Sequence, residues 1–165
     1  MKAVEAIQKK IFTLADLQHQ VYAWKMKGKS IAFTNGCFDI LHEGHIFSLS
    51  QAARSADYLI VALNSDNSTR ALKGPERPIN LEQSRALVLA SLIMVDAVII
   101  FDQPTPLELI VSIQPDVLVK GGDYTIDTIV GAKEVLATGG KVEINPLVAG
   151  FSTSGLITRI KSTLS

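Results

Sequence analysis

Cysteine is almost missing from this sequence. The single Cys37 excludes an intramolecular disulfide, and a reducing, cytoplasmic setting is the expectation that follows. Excess charge is missing too, since Lys plus Arg and Asp plus Glu each number 16. No global field gathers nucleic acid or an anionic membrane, so any anion must be held by a local site. A long apolar run is absent: the most hydrophobic stretch, residues 86–101, carries Ser91 and Asp96 and falls short of the roughly 18 to 20 apolar residues of a membrane span. It reads as a helix followed by a strand. The N-terminal segment lacks the apolar run and cleavage site of a secretory leader. No internal repeat or low-complexity tract interrupts the 165 residues, a length that suits one domain with a sizeable core.

Residues 1–28 read as a helical extension. Thr13 with Asp16 and Phe12 with Leu17 open a helix, Leu14, Leu17, Val21 and Trp24 give it one apolar stripe, and Gly28 ends it. Residues 29–165 alternate strands with helices. Short apolar runs at 31–34, 58–63, 97–101, 117–119 and 142–144 have the composition of buried parallel strands. Helices are expected from His45 to about Arg54, after an Asn80–Gln83 cap, after Thr105-Pro106-Leu107-Glu108, from about Asp127 to Thr138, and from Ser152 onward. The alternation implies a doubly wound α/β domain with a mainly parallel five-stranded sheet. Ligands of such sheets sit beyond the carboxyl ends of the strands, where four unusual segments fall: 35–45, 64–79, 120–125 and 146–154. The second, polar and turn-rich, is too long for an ordinary connection.

The first of these segments ends in His42-Glu43-Gly44-His45. Two histidines three apart at a helix start share a face, and Gly44 lets a phosphate approach the backbone closely. Free amides and the helix dipole there favour an anion. Such groups can donate to a phosphorus centre as its oxygens gain charge. Zinc binding is the competing reading, but the only other histidine is His19 and the only cysteine is Cys37, so no third strong ligand is evident. A thiolate role for Cys37 is disfavoured because the pattern suits direct displacement.

At these residues the chain resembles the cytidylyltransferase-like nucleotidyltransferases, whose signature is a Gly-x-Phe-Asp segment leading into His-x-Gly-His. The resemblance runs from about Ile31 to Ile160. Five segments look like the adenylyltransferase domains of ADP-heptose synthases: Asn35-Gly36-Cys37-Phe38-Asp39, Leu72-Lys73-Gly74-Pro75-x-Arg77-Pro78, Val95-Asp96, Leu118-Val119-Lys120-Gly121-Gly122-Asp123-Tyr124 and Ser152-Thr153-Ser154. Phe151 and Ser154 depart from the family's usual small residue and final threonine.

The resemblance implies a Rossmann-like nucleotidyltransferase fold and a sugar 1-phosphate adenylyltransferase that joins AMP from ATP to D-glycero-β-D-manno-heptose 1-phosphate. Magnesium is expected, bound mainly through the nucleotide phosphates, with no protein metal site. His42, His45 and Lys73 are the expected catalytic residues. Thr34, Asn35, Gly36, Cys37, Phe38, Gly44, Arg85, Lys120, Gly121, Gly122, Ser152, Thr153 and Ser154 are expected on the nucleotide. Asp39, Asp66, Asp123 and Tyr124 are expected on the acceptor, although Asp39 also suits a local turn cap. For Arg77, phosphate binding and a structural loop role stay equally open. A homo-oligomer, for instance a dimer, and a separate heptose kinase are expected partners. The rival readings are a cytidylyltransferase acting on glycerol 3-phosphate or a phosphorylated amino-alcohol, and a nucleotide-binding module without turnover.

Overall fold

The computed structural model describes residues 5–146 and 150–163; part of the 146–154 segment, residues 147–149, lies outside the described residues. A short helix α1 (Glu5–Gln8) leads into strand β1 (Ile11–Phe12) and helix α2 (Leu14–Met26). Then follow β2 (Ile31–Gly36), α3 (Glu43–Arg54), β3 (Tyr58–Asn64), α4 (Asp66–Lys73), α5 (Glu82–Ser91), β4 (Ala97–Phe101) and α6 (Leu107–Ile113). The chain continues through β5 (Val117–Gly121), a 3-10 turn (Ile126–Thr128), α7 (Ala132–Ala137), β6 (Lys141–Asn145) and α8 (Thr153–Thr163).

The strands form one sheet in the order β1-β4-β3-β2-β5-β6, and every pairing is parallel. Among the described residues there are thus six strands rather than five. The extra one is the pair Ile11–Phe12, too short to show a period of its own, which lies against Val98 and Ile99. Lys10 anchors it, its Nζ donating to the carbonyls of Leu92 and Val95 at 3.3 and 2.7 Å.

Side chains alternate between the two faces, as a period of two requires. Phe33, Ile60, Ile99 and Leu118 pack with Leu17, Val21, Trp24 and Ile110 on one face. Ala32, Val61, Leu63 and Val98 pack with Leu49, Ala86 and Leu89 on the other. Burial on both faces explains why the strands read as unbroken apolar runs. In α2 the stripe is narrower than expected: Leu17, Val21 and Trp24 are buried, while Leu14 is 42% exposed. Thr13 caps that helix, accepting from the Asp16 amide at 3.2 Å.

Four other local expectations change. The segment after β3 is not an open loop, because Ser65 accepts from the Ser68 amide at 3.0 Å and starts α4, which places Lys73 on its last residue. Leu81, not Asn80, precedes α5; Asn80 instead donates its side-chain amide to the Asp39 carbonyl at 2.6 Å. Pro106 rather than Thr105 precedes α6, without a side-chain cap. The helix read over 127–138 breaks at Gly131, whose φ is +86° and where a Cβ would stand 2.5 Å from Ile110 Cδ1. Among the described residues no helix is long and apolar enough to cross a membrane.

Candidate active site

The winding reverses at β2, which has β3 on one side and β5 on the other, so a crevice opens beyond its carboxyl end. Gly36, the last residue of β2, keeps this turn tight: a Cβ there would stand 3.0 Å from the Phe38 ring. Phe38 itself takes φ +43° and sets its ring edge-on to His45, centroids 5.3 Å apart.

His42 occupies the residue before α3 and makes no side-chain cap bond. One turn later His45 lies on the same face, and the two imidazoles stack at 3.8 Å with 22° between their planes. Gly44 permits this, because a Cβ there would meet the His42 ring at 3.2 Å and Phe151 Cβ at 3.2 Å. Both Nδ1 atoms are buried without a hydrogen-bond partner among the described residues. Burial lowers the His42 pKa; burial, and secondly His42, push His45 down to about 4. Near neutral pH the pair is therefore uncharged, offering ring N–H groups to an anion at a helix N-terminus.

The rings face a cleft of about 580 Å³. Thr34, Asn35, Gly36, Cys37 and Phe38 form its floor with Gly44, and Ser152, Thr153 and Ser154 at the start of α8 close one side. Ser152 caps that helix, accepting from the Gly155 amide at 3.0 Å, and the Thr153 hydroxyl reaches the Ile40 carbonyl at 3.5 Å. From β5, Lys120 and Gly121 reach the wall with Tyr124. Lys120 Nζ donates to Asn35 Oδ1 at 3.0 Å and sits 5.7 Å from the Tyr124 ring centroid. Burial pushes the Lys120 pKa down; Cys37 opposes this and the charge of Lys73 adds to it. Gly121 is needed for closeness, since a Cβ would stand 3.0 Å from Ser48 Oγ. Lys73 and Arg77 face the same cleft from the segment after β3.

Five of the expected site residues are not on the cleft wall: Asp39, Asp66, Arg85, Gly122 and Asp123. Arg85 is 2% exposed and lies behind the floor. It donates to the carbonyls of Asn80, Cys37 and Asn64 at 2.9, 2.5 and 2.9 Å and to Asp66 Oδ1 at 2.8 Å. It pins the ends of β2 and β3 to the start of α5. Asp39, 3% exposed, accepts from Arg77 Nε at 2.6 Å, from the Ile79 amide at 2.8 Å and from the Asn80 amide at 2.8 Å. Burial alone would raise its pKa, but those two amides and Arg77 outweigh it and leave the carboxylate below its ordinary value. Gly122 takes φ +128°, and its amide donates to the Asn145 carbonyl at 3.1 Å. Among the described residues no group of three or more His, Cys, Asp or Glu could hold a metal ion.

The wall also includes Ser48, Asn64, Leu72, Pro104, Pro106 and Pro146, none of which sequence reasoning singled out for the site. Asn64, Pro104 and Pro146 lie at or just beyond strand ends, a signal that was available. Ser48 lies within α3, where only the packing reveals it.

A parallel sheet reversing beside a stacked histidine pair, with lysines and a hydroxyl-rich helix start around one crevice, defines a Rossmann-like nucleotidyltransferase. The chain belongs to the cytidylyltransferase-like family, whose model matches residues 33–159. It is similar to the Bifunctional protein HldE of Hyphomonas neptunium, 60% identical over 140 residues, which cover 85% of this chain and 29% of that protein. The protein of the same name from Koribacter versatilis is 54% identical over 156 residues, covering 94% and 32%. The chain thus spans about a third of the length of these curated relatives. Among solved structures, the lipopolysaccharide core biosynthesis protein from Thermoplasma volcanium matches with a TM-score of 0.59 at 27% identity, over 73% of this chain and 98% of that one. The pantoate-beta-alanine ligase from Francisella tularensis shares the fold, with a TM-score of 0.56 at 17% identity, over 82% and 66%.

Proposed function

We propose that this domain transfers AMP from ATP to D-glycero-β-D-manno-heptose 1-phosphate, giving ADP-heptose and pyrophosphate in a cytoplasmic pathway to a heptose-containing glycan. The observation that carries the transfer chemistry is the His42–His45 stack, uncharged and with buried ring nitrogens, at the start of α3. The sugar is supported by the motif resemblance and by the similarity to the HldE proteins.

In this reading the nucleotide lies across β2, with its base and ribose toward Lys120, Gly121 and Tyr124 and its outer phosphates toward Ser152 and Thr153. A phosphate oxygen of the acceptor attacks the α-phosphorus in line; the bond from that phosphorus to the bridging oxygen breaks, and its electron pair leaves with pyrophosphate. The nucleophile is already an anion, so no side-chain base is required. His42 and His45 donate to the α-phosphate oxygens as they gain charge, and Lys73 neutralises charge from the other side. The carboxylates of Asp39 and Asp66 are engaged by Arg77 and Arg85 and are not offered to a magnesium ion. The expected ion belongs to the nucleotide phosphates. A sugar kinase must supply the acceptor, on this or another polypeptide.

The test is pyrophosphate release from ATP or CTP with heptose 1-phosphate, other sugar 1-phosphates and glycerol 3-phosphate. Release is expected with ATP and the heptose, and His45→Ala should lower kcat by roughly 10²- to 10³-fold with the KM for ATP changed less than about threefold. Release with CTP and glycerol 3-phosphate instead would overturn the substrates. Equal release by the variant would remove His45 from the mechanism, and no release from any pair would favour a binding module.

A further inference from the structure

Arg77 has a chemical role that the reaction as written leaves unused. Its segment is short and tied at both ends. The Gly74 amide donates to the Arg70 carbonyl at 2.9 Å and the Arg77 amide to the Gly74 carbonyl at 3.1 Å. Beyond Pro78, the Ile79 and Asn80 amides both close on the Asp39 carboxylate. Arg77 adds only Nε to that carboxylate, at 2.6 Å. Its side chain is 12% exposed, against 0% for Asp39, and it reaches the wall of the active-site cleft. Among the described residues its two terminal guanidinium nitrogens take no hydrogen bond. A guanidinium anchored through Nε on a buried carboxylate is fixed in direction and keeps two parallel donors for a phosphate.

The topology says which phosphate. Leu72, Lys73 and Arg77 follow β3, and Pro104 and Pro106 follow β4, so they stand on one side of β2. Lys120, Gly121, Tyr124 and Pro146 follow β5 and β6 and stand on the other. With the base and ribose on the β5–β6 side and the reacting phosphorus at the histidines, the β3–β4 side is left for the acceptor. Arg77 is its fixed cation. Leu72 and the two prolines around it offer little that would satisfy a second charged group.

We propose that Arg77 is the acceptor-phosphate fork of this site, gripping the two non-attacking oxygens of the incoming phosphate, and that Asp39 is a positioning residue that aims it. This rests on the reading above in taking the cleft to hold a nucleoside triphosphate with its base and ribose toward β5 and β6; the identity of the acceptor does not enter. Asp39, expected from sequence to touch the acceptor itself, acts on it through Arg77. The same carboxylate ties the Lys73-bearing segment to the turn that carries His42, so acceptor binding and the position of Lys73 share one anchor.

The experiment is calorimetric titration of inorganic phosphate into the chain saturated with α,β-methylene-ATP, for the native protein, Arg77→Gln and Arg77→Lys. Arg77→Gln should weaken phosphate binding by at least about tenfold, Arg77→Lys by an intermediate factor because it keeps charge without the fork, and both should keep the analogue affinity within about twofold. Equal phosphate affinity in native and Arg77→Gln protein overturns the assignment. So does an absence of phosphate binding to the native complex, or an equal loss of analogue affinity, which would give the fork to the nucleotide. Should Arg77→Gln fail to fold, Arg77→Lys decides by the same criteria. With heptose 1-phosphate, the acceptor KM should rise in Arg77→Lys with the KM for ATP unchanged. If the native chain does not turn that sugar over, the proposed substrate fails while the phosphate titration still decides Arg77.

Discussion

Acidification should unfold this protein earlier than its carboxylates alone would dictate, and His45 is the reason. In the folded chain its pKa is lowered from 6.5 to about 4, by burial and by the neighbouring His42. The folded state therefore binds fewer protons than the unfolded state between those values. The corresponding stability is fully present above 6.5 and is lost as pH falls toward 4. Taking about 1.36 kcal/mol per pH unit, the gap between 6.5 and about 4 gives a ceiling near 2 kcal/mol lost between pH 7 and about pH 5. His45 is only half-buried, and solvent screening brings the expected loss to between about 1 and 2 kcal/mol. The assay is urea unfolding across that range, followed by fluorescence of Trp24, which is 7% exposed and stacked on Tyr58 at 4.2 Å. His45→Gln should flatten the dependence by that amount, leaving the smaller contribution of His42, which burial lowers in the same direction. Identical slopes for the native and variant proteins would refute the argument.

Asp39→Asn should destabilise the fold by about 3 kcal/mol, because it leaves the guanidinium and two amides facing an uncharged partner at a buried site; denaturant midpoints check this, and a change under about 1 kcal/mol would deny Asp39 its anchoring role. Gly44→Ala should lower kcat at least about tenfold with stability nearly intact, since its Cβ would press on the His42 ring and Phe151 at 3.2 Å; pyrophosphate release and a thermal melt together decide. Gly131→Ala should destabilise by about 2 kcal/mol, as φ +86° and Ile110 at 2.5 Å both oppose a side chain, while kcat stays unchanged.

The larger elements were legible because strands buried on both faces must be apolar throughout, as residues 58–64 and 97–101 are, and because turns at Gly28 and Gly139 punctuate them. What failed was local competition for caps. Asn80 has the chemistry of a helix cap, yet a carbonyl forty-one residues earlier in the chain takes its side chain, and no local pattern announces that. Ser65 was visible, but the polarity of residues 66–73 disguised a helix that buries little beyond Ser68 and Thr69. In the site, the sharing of one face by His42 and His45 could be read from types and spacing, whereas Lys73 was singled out by the family resemblance. The partition of Asp39, Arg77 and Arg85 between wall and scaffold could not, since arginine beside carboxylate looks the same in sequence whether it faces a ligand or a fold.

The stacked imidazoles have a consequence for how much charge the crevice can present. Two protonated rings about 4 Å apart would repel by about 4 kcal/mol at an effective dielectric of 20, and His42 already opposes protonation of His45. The pair therefore accepts one proton and resists a second. Across the acid range the crevice gains a single positive charge from this pair rather than two.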